Sequence, residues 1–122
     1  MTSSHDRSRM NGPPERTTEQ RARARERALD ARRRRAEARA ALSQGRLSLA
    51  ELLERCQEDE HYGGMRVRDA LTALPGIGEV RSLEIMEDVG ISPTRRLRGL
   101  GSRQQVELLE RVAPIEQRRA RA

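Results

Sequence analysis

Residues 93–104, PTRRLRGLGSRQ, hold four arginines, Arg95, Arg96, Arg98 and Arg103, with two glycines and two leucines between them. A guanidinium keeps its charge at any physiological pH and offers a planar fork of donors that matches a phosphate edge. A solvated helix face would carry that charge without glycine breaks, and an unstructured tail would carry it without leucines. The pattern reads as a folded pair of turns, anchored by Leu97 and Leu100, with Arg95, Arg96 and Arg98 free to point outward. Gly99 and Gly101 supply the backbone freedom for the bends. Its chemistry is anion binding.

A second anion site is legible in residues 74–80, LPGIGEV. Gly76 and Gly78 bracket Ile77, and a helix opens directly afterward. The unpaired amides and positive dipole end of that helix face outward over Gly76, Ile77, Gly78 and Val80. Glycine lets phosphate oxygens reach such a backbone. The thirteen residues to the arginine turns would span about 20 Å as helix, a separation that suits two parts of one duplex.

Further arginines stand at less specific positions. Arg66 and Arg68 follow the Gly63–Gly64 break. Arg103 falls in the first turn of a helix, where a cation opposes the dipole and a phosphate would relieve the conflict. Arg32, Arg33, Arg34 and Arg35 are consecutive like charges that repel on an isolated helix and invite a polyanion.

The elements that must position these residues are all helical, since no segment alternates with period 2. Residues 1–16 are polar with Gly12-Pro13-Pro14 and are expected to be disordered. Residues 17–45 form a basic Arg/Ala-rich helical arm, opened by a Thr17/Gln20 capping box and stopped at Gly45. Its apolar positions are mostly alanine, so it should pack weakly or not at all on the rest. Residues 46–113 form the folded domain. Ser48 and Glu51 cap its first helix, which buries Leu49, Leu52, Leu53 and Cys56. Val67, Leu71 and Leu74 follow at i, i+4 and i+7. Val80, Leu83, Met86 and Val89 face inward on the next helix, which ends at Gly90 with Ile91 folding back. Ser102 and Gln105 cap the last helix, and Pro114 closes it. Residues 114–122 are a basic tail.

Composition narrows the function. The chain has 122 residues and a net charge of +6, with 25 basic residues, all arginine. Such a balance points to phosphate on nucleic acid or on an acidic surface. There is no Trp or Phe and one Tyr, so the aromatic platforms that stack unpaired bases are missing. The single Cys56 fits a reducing interior, and no apolar run is long enough to span a membrane. The expected location is the cytoplasm. His5 and His61 lack partners at metal-ligand spacing, and no catalytic constellation stands out. No metal, cofactor or enzymatic activity is expected.

From about Leu47 to Val112, the stretches LPGIG, IM, PTRRLRGLG and RQ with LLE resemble the actinobacterial integration host factor family. These are small nucleoid-associated proteins with a helix-two-turn-helix domain. The resemblance implies an all-α helix-two-turn-helix fold with a helix-hairpin-helix-like turn. It implies binding of double-stranded DNA in the nucleoid with low sequence specificity, with bending or compaction and effects on topology, transcription and recombination. It carries family contacts onto Arg95, Arg96, Arg98 and the backbone of residues 76–80. Family members often have Lys where this chain has Glu79, and a carboxylate there opposes a phosphate. The expected state is a monomer on DNA, with recombinases or the transcription machinery as candidate protein partners. The alternative is an RNA-binding structural protein of ribosomal type, which shares the two-turn motif.

Overall fold

A computed structural model of the chain describes residues 17–121; the N-terminus expected to be disordered, residues 1–16, lies outside them. The described regular structure is α1 (Thr18–Ser43), α2 (Leu49–Glu58), α3 (Glu60–Gly63), α4 (Val67–Ala73), α5 (Glu79–Val89), a 3-10 turn (Leu97–Gly99) and α6 (Ser102–Arg121). Arg66 and Arg96 form an isolated antiparallel bridge. The architecture is all-α, and no helix among the described residues is long and apolar enough to cross a membrane.

The chain divides into two compact units after Asp30, within α1. In the first unit, the Thr17 amide donates to Gln20 Oε1 at 2.9 Å and the Gln20 amide to Thr17 Oγ1 at 3.1 Å. This reciprocal box satisfies two of the amides a helix start leaves open. Glu19 pairs with Arg23 one turn on, at 3.5 Å. Leu29 is largely exposed, so it adds little apolar burial to this start of α1.

The second unit begins with the last turns of α1. The expectation that this helix packs weakly or not at all is not met there. Ala38 and Leu42, one turn apart, are both buried in the common core, with Ala41 packed beside them. Alanine permits a close approach of helices, and one well-placed leucine supplies the apolar area: fully burying it contributes about 1.5–3 kcal/mol. The helix ends as the glycine signal implies. Arg46 N–H donates to Ala41 C=O at 2.9 Å and Gly45 N–H to Leu42 C=O at 3.2 Å, the bond pair of a Schellman motif.

Four short helices close the core. Ser48 caps α2 in a complete capping box with Glu51, and the Ser48 amide and hydroxyl hold the Glu51 carboxyl below its ordinary range. Leu49, Leu52 and Leu53 are buried from α2, and Val67, Ala70 and Leu71 from α4. α2 packs on α3 and α6, α4 on α5, and α5 on α6.

Two expectations for the later helices are corrected. On α5 the buried face is Ser82, Ile85, Met86 and Val89, while Val80 is 72% exposed and Leu83 36% exposed. Ser82 can be buried because its hydroxyl donates to Glu79 C=O at 2.7 Å, so apolarity misplaced the stripe. On α6 the helix continues through Pro114 to Arg121. Pro114 and Glu110, whose carbonyl loses its proline N–H partner, are both exposed residues. Burial of Val112 and Ile115 on either side offsets a proline cost of about 3 kcal/mol. Glu116 adds a tie, accepting from Leu49 N–H at 3.2 Å.

Candidate nucleic-acid interface

Between α5 and α6 the chain makes two successive turns. Gly90, at φ +83°, ends α5, and Ile91 N–H reaches back to Met86 C=O at 2.8 Å. Arg95 N–H then bonds Ser92 C=O at 2.9 Å, closing the first turn. Gly99 N–H to Arg96 C=O at 2.9 Å and Leu100 N–H to Leu97 C=O at 3.2 Å close the second. Leu97 and Leu100 are buried anchors. Val67 N–H to Arg95 C=O and Leu97 N–H to Met65 C=O fasten the segment to the start of α4. The segment is a folded helix-two-turn-helix, and it is rigidly tied.

Its arginines do not act alike. Arg95 and Arg96 are half-buried rather than free. Arg95 Nη1 donates to Gly99 C=O at 2.8 Å, and Arg96 Nη1 to Gly64 C=O at 2.5 Å. The segment's own carbonyls and a neighbouring one recruit these side chains because tight turns leave carbonyls without backbone partners. Arg98 is exposed and engages no acceptor among the described residues. The glycines are partly steric. A Cβ on Gly99 would stand 2.9 Å from Arg95 Cδ, and one on Gly63 would stand 3.2 Å from Arg98 Cβ.

The cap of α6 sits one residue earlier than the Ser102/Gln105 pattern implies. Gly101 C=O accepts the first helical bond from Gln105 N–H at 3.0 Å, while Gln104 Oε1 accepts from Gly101 N–H at 3.1 Å. Gln104 Nε2 also donates to Gly90 C=O at 3.0 Å. One amide side chain thereby closes both ends of the two-turn segment. Periodicity gave no reason to single out Gln104; its only signal is its place in the RQ motif. Arg103 is exposed in the first turn of α6 and pairs with Glu107 at 2.9 Å, which already answers part of its conflict with the helix dipole.

In the turn at 74–80, Ile77 is a buried anchor whose amide bonds Leu74 C=O at 3.2 Å, so it presents no free donor. Gly76 has φ +86°, a conformation that disfavours any side chain. The first bond of α5 is Ser82 N–H to Gly78 C=O at 2.9 Å. The amides of residues 78–81 ahead of it find no acceptor among the described residues and remain open to an anion. A Cβ on Gly78 would meet nothing within 4 Å, so nothing inside the fold requires glycine there. Glu79 opposes an anion at this place, and Arg68 from α4 forms an ion pair with it. That pairing joins residues eleven apart and has no local sequence signal.

Arg66 is exposed and lies opposite Arg96 in the bridge. The start of α4 thus borders both candidate anion sites, Arg66 at the two turns and Arg68 at the glycine turn. Within the run at 32–35, Arg32 and Arg33 are exposed while Arg34 and Arg35 are half-buried. Arg34 Nη1 binds Asp59 Oδ2 at 2.7 Å. The His61 amide and then Arg34 hold the Asp59 carboxyl below its ordinary range. Cys56 nearby is half-buried, and burial, with the Asp59 charge adding, pushes its thiol up to about 11.

The profile described as an S13-like H2TH domain matches residues 42–112. Over 98 residues the chain is 49% identical to the integration host factor of Mycobacterium tuberculosis, covering 80% of this chain and 93% of that protein. The chain belongs to the integration host factor family. The integration host factor of Streptomyces coelicolor is also 49% identical over 98 residues, covering 80% and 91% of the two chains. A solved structure of sIHF bound to an 8-base-pair palindromic DNA superposes with a TM-score of 0.68 at 45% identity, covering 70% of this chain and 97% of that one. In this integration host factor family member, the matched domain contains both turns, Arg66, Arg68 and Arg103. The run at 32–35 precedes it.

Proposed function

We propose that this family member is an architectural DNA-binding protein of the nucleoid. The observation that carries the reading is the likeness, across nearly the whole of the relative's chain, to a family structure that holds DNA. The geometry supports it: the two-turn segment is locked by its own hydrogen bonds and presents Arg98, Arg66 and Arg103 to solvent. Arg98 and the open amides of residues 78–81 make phosphate contacts. Arg95 and Arg96 shape the turns that carry them. Such contacts to the backbone fix position without reading bases, so binding has low sequence specificity and favours duplexes that bend readily. The protein is a binding module and not an enzyme, and through bending and compaction it influences topology, transcription and recombination.

The test is fluorescence anisotropy of the purified chain with a 30-base-pair duplex and a matched structured RNA, across a salt series. The expected result is preference for the duplex, with affinity falling by about 0.9 log unit per log unit of salt for each phosphate neutralised. A flat salt response, or a clear preference for the RNA, overturns the reading.

A further inference from the structure

Arg35 on α1 and Arg98 on the 3-10 turn come together over one residue, Gly64. A Cβ built on Gly64 would lie 3.5 Å from Arg35 Nη1, 3.6 Å from the His61 carbonyl oxygen and 3.8 Å from Arg98 Nη1. The two guanidinium groups are therefore no farther apart than the sum of the two Nη1 distances. Among the described residues, neither has an acceptor or a carboxylate partner. Their neighbours are engaged: Arg34 holds Asp59, and Arg96 holds the Gly64 carbonyl. The Gly64 amide is taken too, donating to Glu60 C=O at 3.1 Å. Two like charges this close, with no acid between them, repel. A tetrahedral anion whose oxygens reach in two directions turns that repulsion into two charge-assisted hydrogen bonds, each about 2.7–2.9 Å long.

We propose that Arg35 and Arg98 clamp a single backbone phosphate of duplex DNA above Gly64, so that the bound phosphate fastens α1 to the two-turn segment. The inference rests on the DNA-binding reading and adds a particular subsite to it. The run at 32–35 is then not a uniform basic strip. Arg35 belongs to the clamp, and Arg33, its exposed neighbour, does not. A side chain at 64 would stand against both guanidinium groups. The Gly64 backbone is ordinary right-handed helical, φ −77° and ψ −8°, so conformation alone does not demand glycine.

Anisotropy with the 30-base-pair duplex, using the full chain, tests the clamp. Arg35→Gln and Arg98→Gln should each lose about tenfold in affinity, the scale of one hydrogen bond to a charged group. The double variant should lose little more, because a shared phosphate is released by either change. Each single variant and the double should flatten the salt slope by the same increment, about 0.9. Arg33→Gln should show a smaller loss that multiplies in full with Arg98→Gln. Gly64→Ala guards against a folding artefact: its methyl meets only ordinary contact distances, so melting should be preserved while affinity drops. A wild-type chain that fails to bind the duplex overturns the DNA-binding reading and the clamp with it. Wild-type binding with a silent Arg35→Gln, or with Arg35 and Arg98 losses that multiply in full, overturns the clamp alone.

Discussion

Arg96 and Arg98 are two residues apart in one basic motif, yet their replacement by alanine should have opposite signatures. Arg96 donates to the Gly64 carbonyl, and Gly64 is buried. Removing the donor leaves a buried carbonyl unsatisfied, which costs about 1–3 kcal/mol. Arg96 is half-exposed, so water reaches part of the site and the lower half of that range applies, about 1–2 kcal/mol. In a domain of this size each kcal/mol lowers the midpoint by about 4–8 °C. Arg96→Ala should therefore melt about 4–16 °C below wild type in calorimetry without DNA. Arg98→Ala removes an exposed side chain with no protein acceptor, and its stability should stay within about 0.5 kcal/mol. In anisotropy with duplex DNA the order reverses: Arg98→Ala weakens binding and flattens the salt slope, with the fold intact. Equal melting losses in the two variants, or an Arg96→Ala protein as stable as wild type, would refute this division of labour.

Three further outcomes are expected. Leu42→Ala should cost about 2–5 kcal/mol in denaturant unfolding, because Leu42 is fully buried; a loss under about 0.5 kcal/mol would mean that α1 does not belong to the core. Glu79→Lys should tighten duplex binding at low salt and steepen the salt slope by about 0.9, since it removes the carboxylate at the open amides and frees Arg68; unchanged binding would exclude the glycine turn from the contact. Cys56, with its thiol at about 11, is protonated at neutral pH, and its thiolate fraction rises tenfold per pH unit up to that value. Alkylation of the native chain should therefore be slow at pH 7 and accelerate tenfold per unit through pH 9, and a fast, pH-independent reaction would contradict the burial that raises it.

Several helix ends were legible because their causes are local. The capping boxes at Thr17/Gln20 and Ser48/Glu51 and the glycine stops at Gly45 and Gly90 each lie within a few residues of what they cap, so spacing alone reveals them. Leu97 and Leu100 were legible as anchors for the same reason. Local rules misled where burial overrode them. Val80 looks like core and is exposed, Ser82 looks like surface and is buried with its hydroxyl satisfied, and Pro114 looks like a terminator inside a helix that burial of Val112 and Ile115 carries onward.

The roles of the arginines follow the same division. Periodicity, caps and composition were enough to determine that this chain is helical and basic and carries arginine-rich, glycine-bracketed turns. Which arginine does what was decided only by tertiary structure, because a guanidinium is defined by its acceptor. Arg95, Arg96, Arg34 and Arg68 find theirs at Gly99, Gly64, Asp59 and Glu79. Three of those four pairings join residues too distant in sequence for any periodicity to reveal. Arg35 and Arg98 end beside each other without one, and that juxtaposition exists only once α1 and the two-turn segment meet across a residue with no side chain.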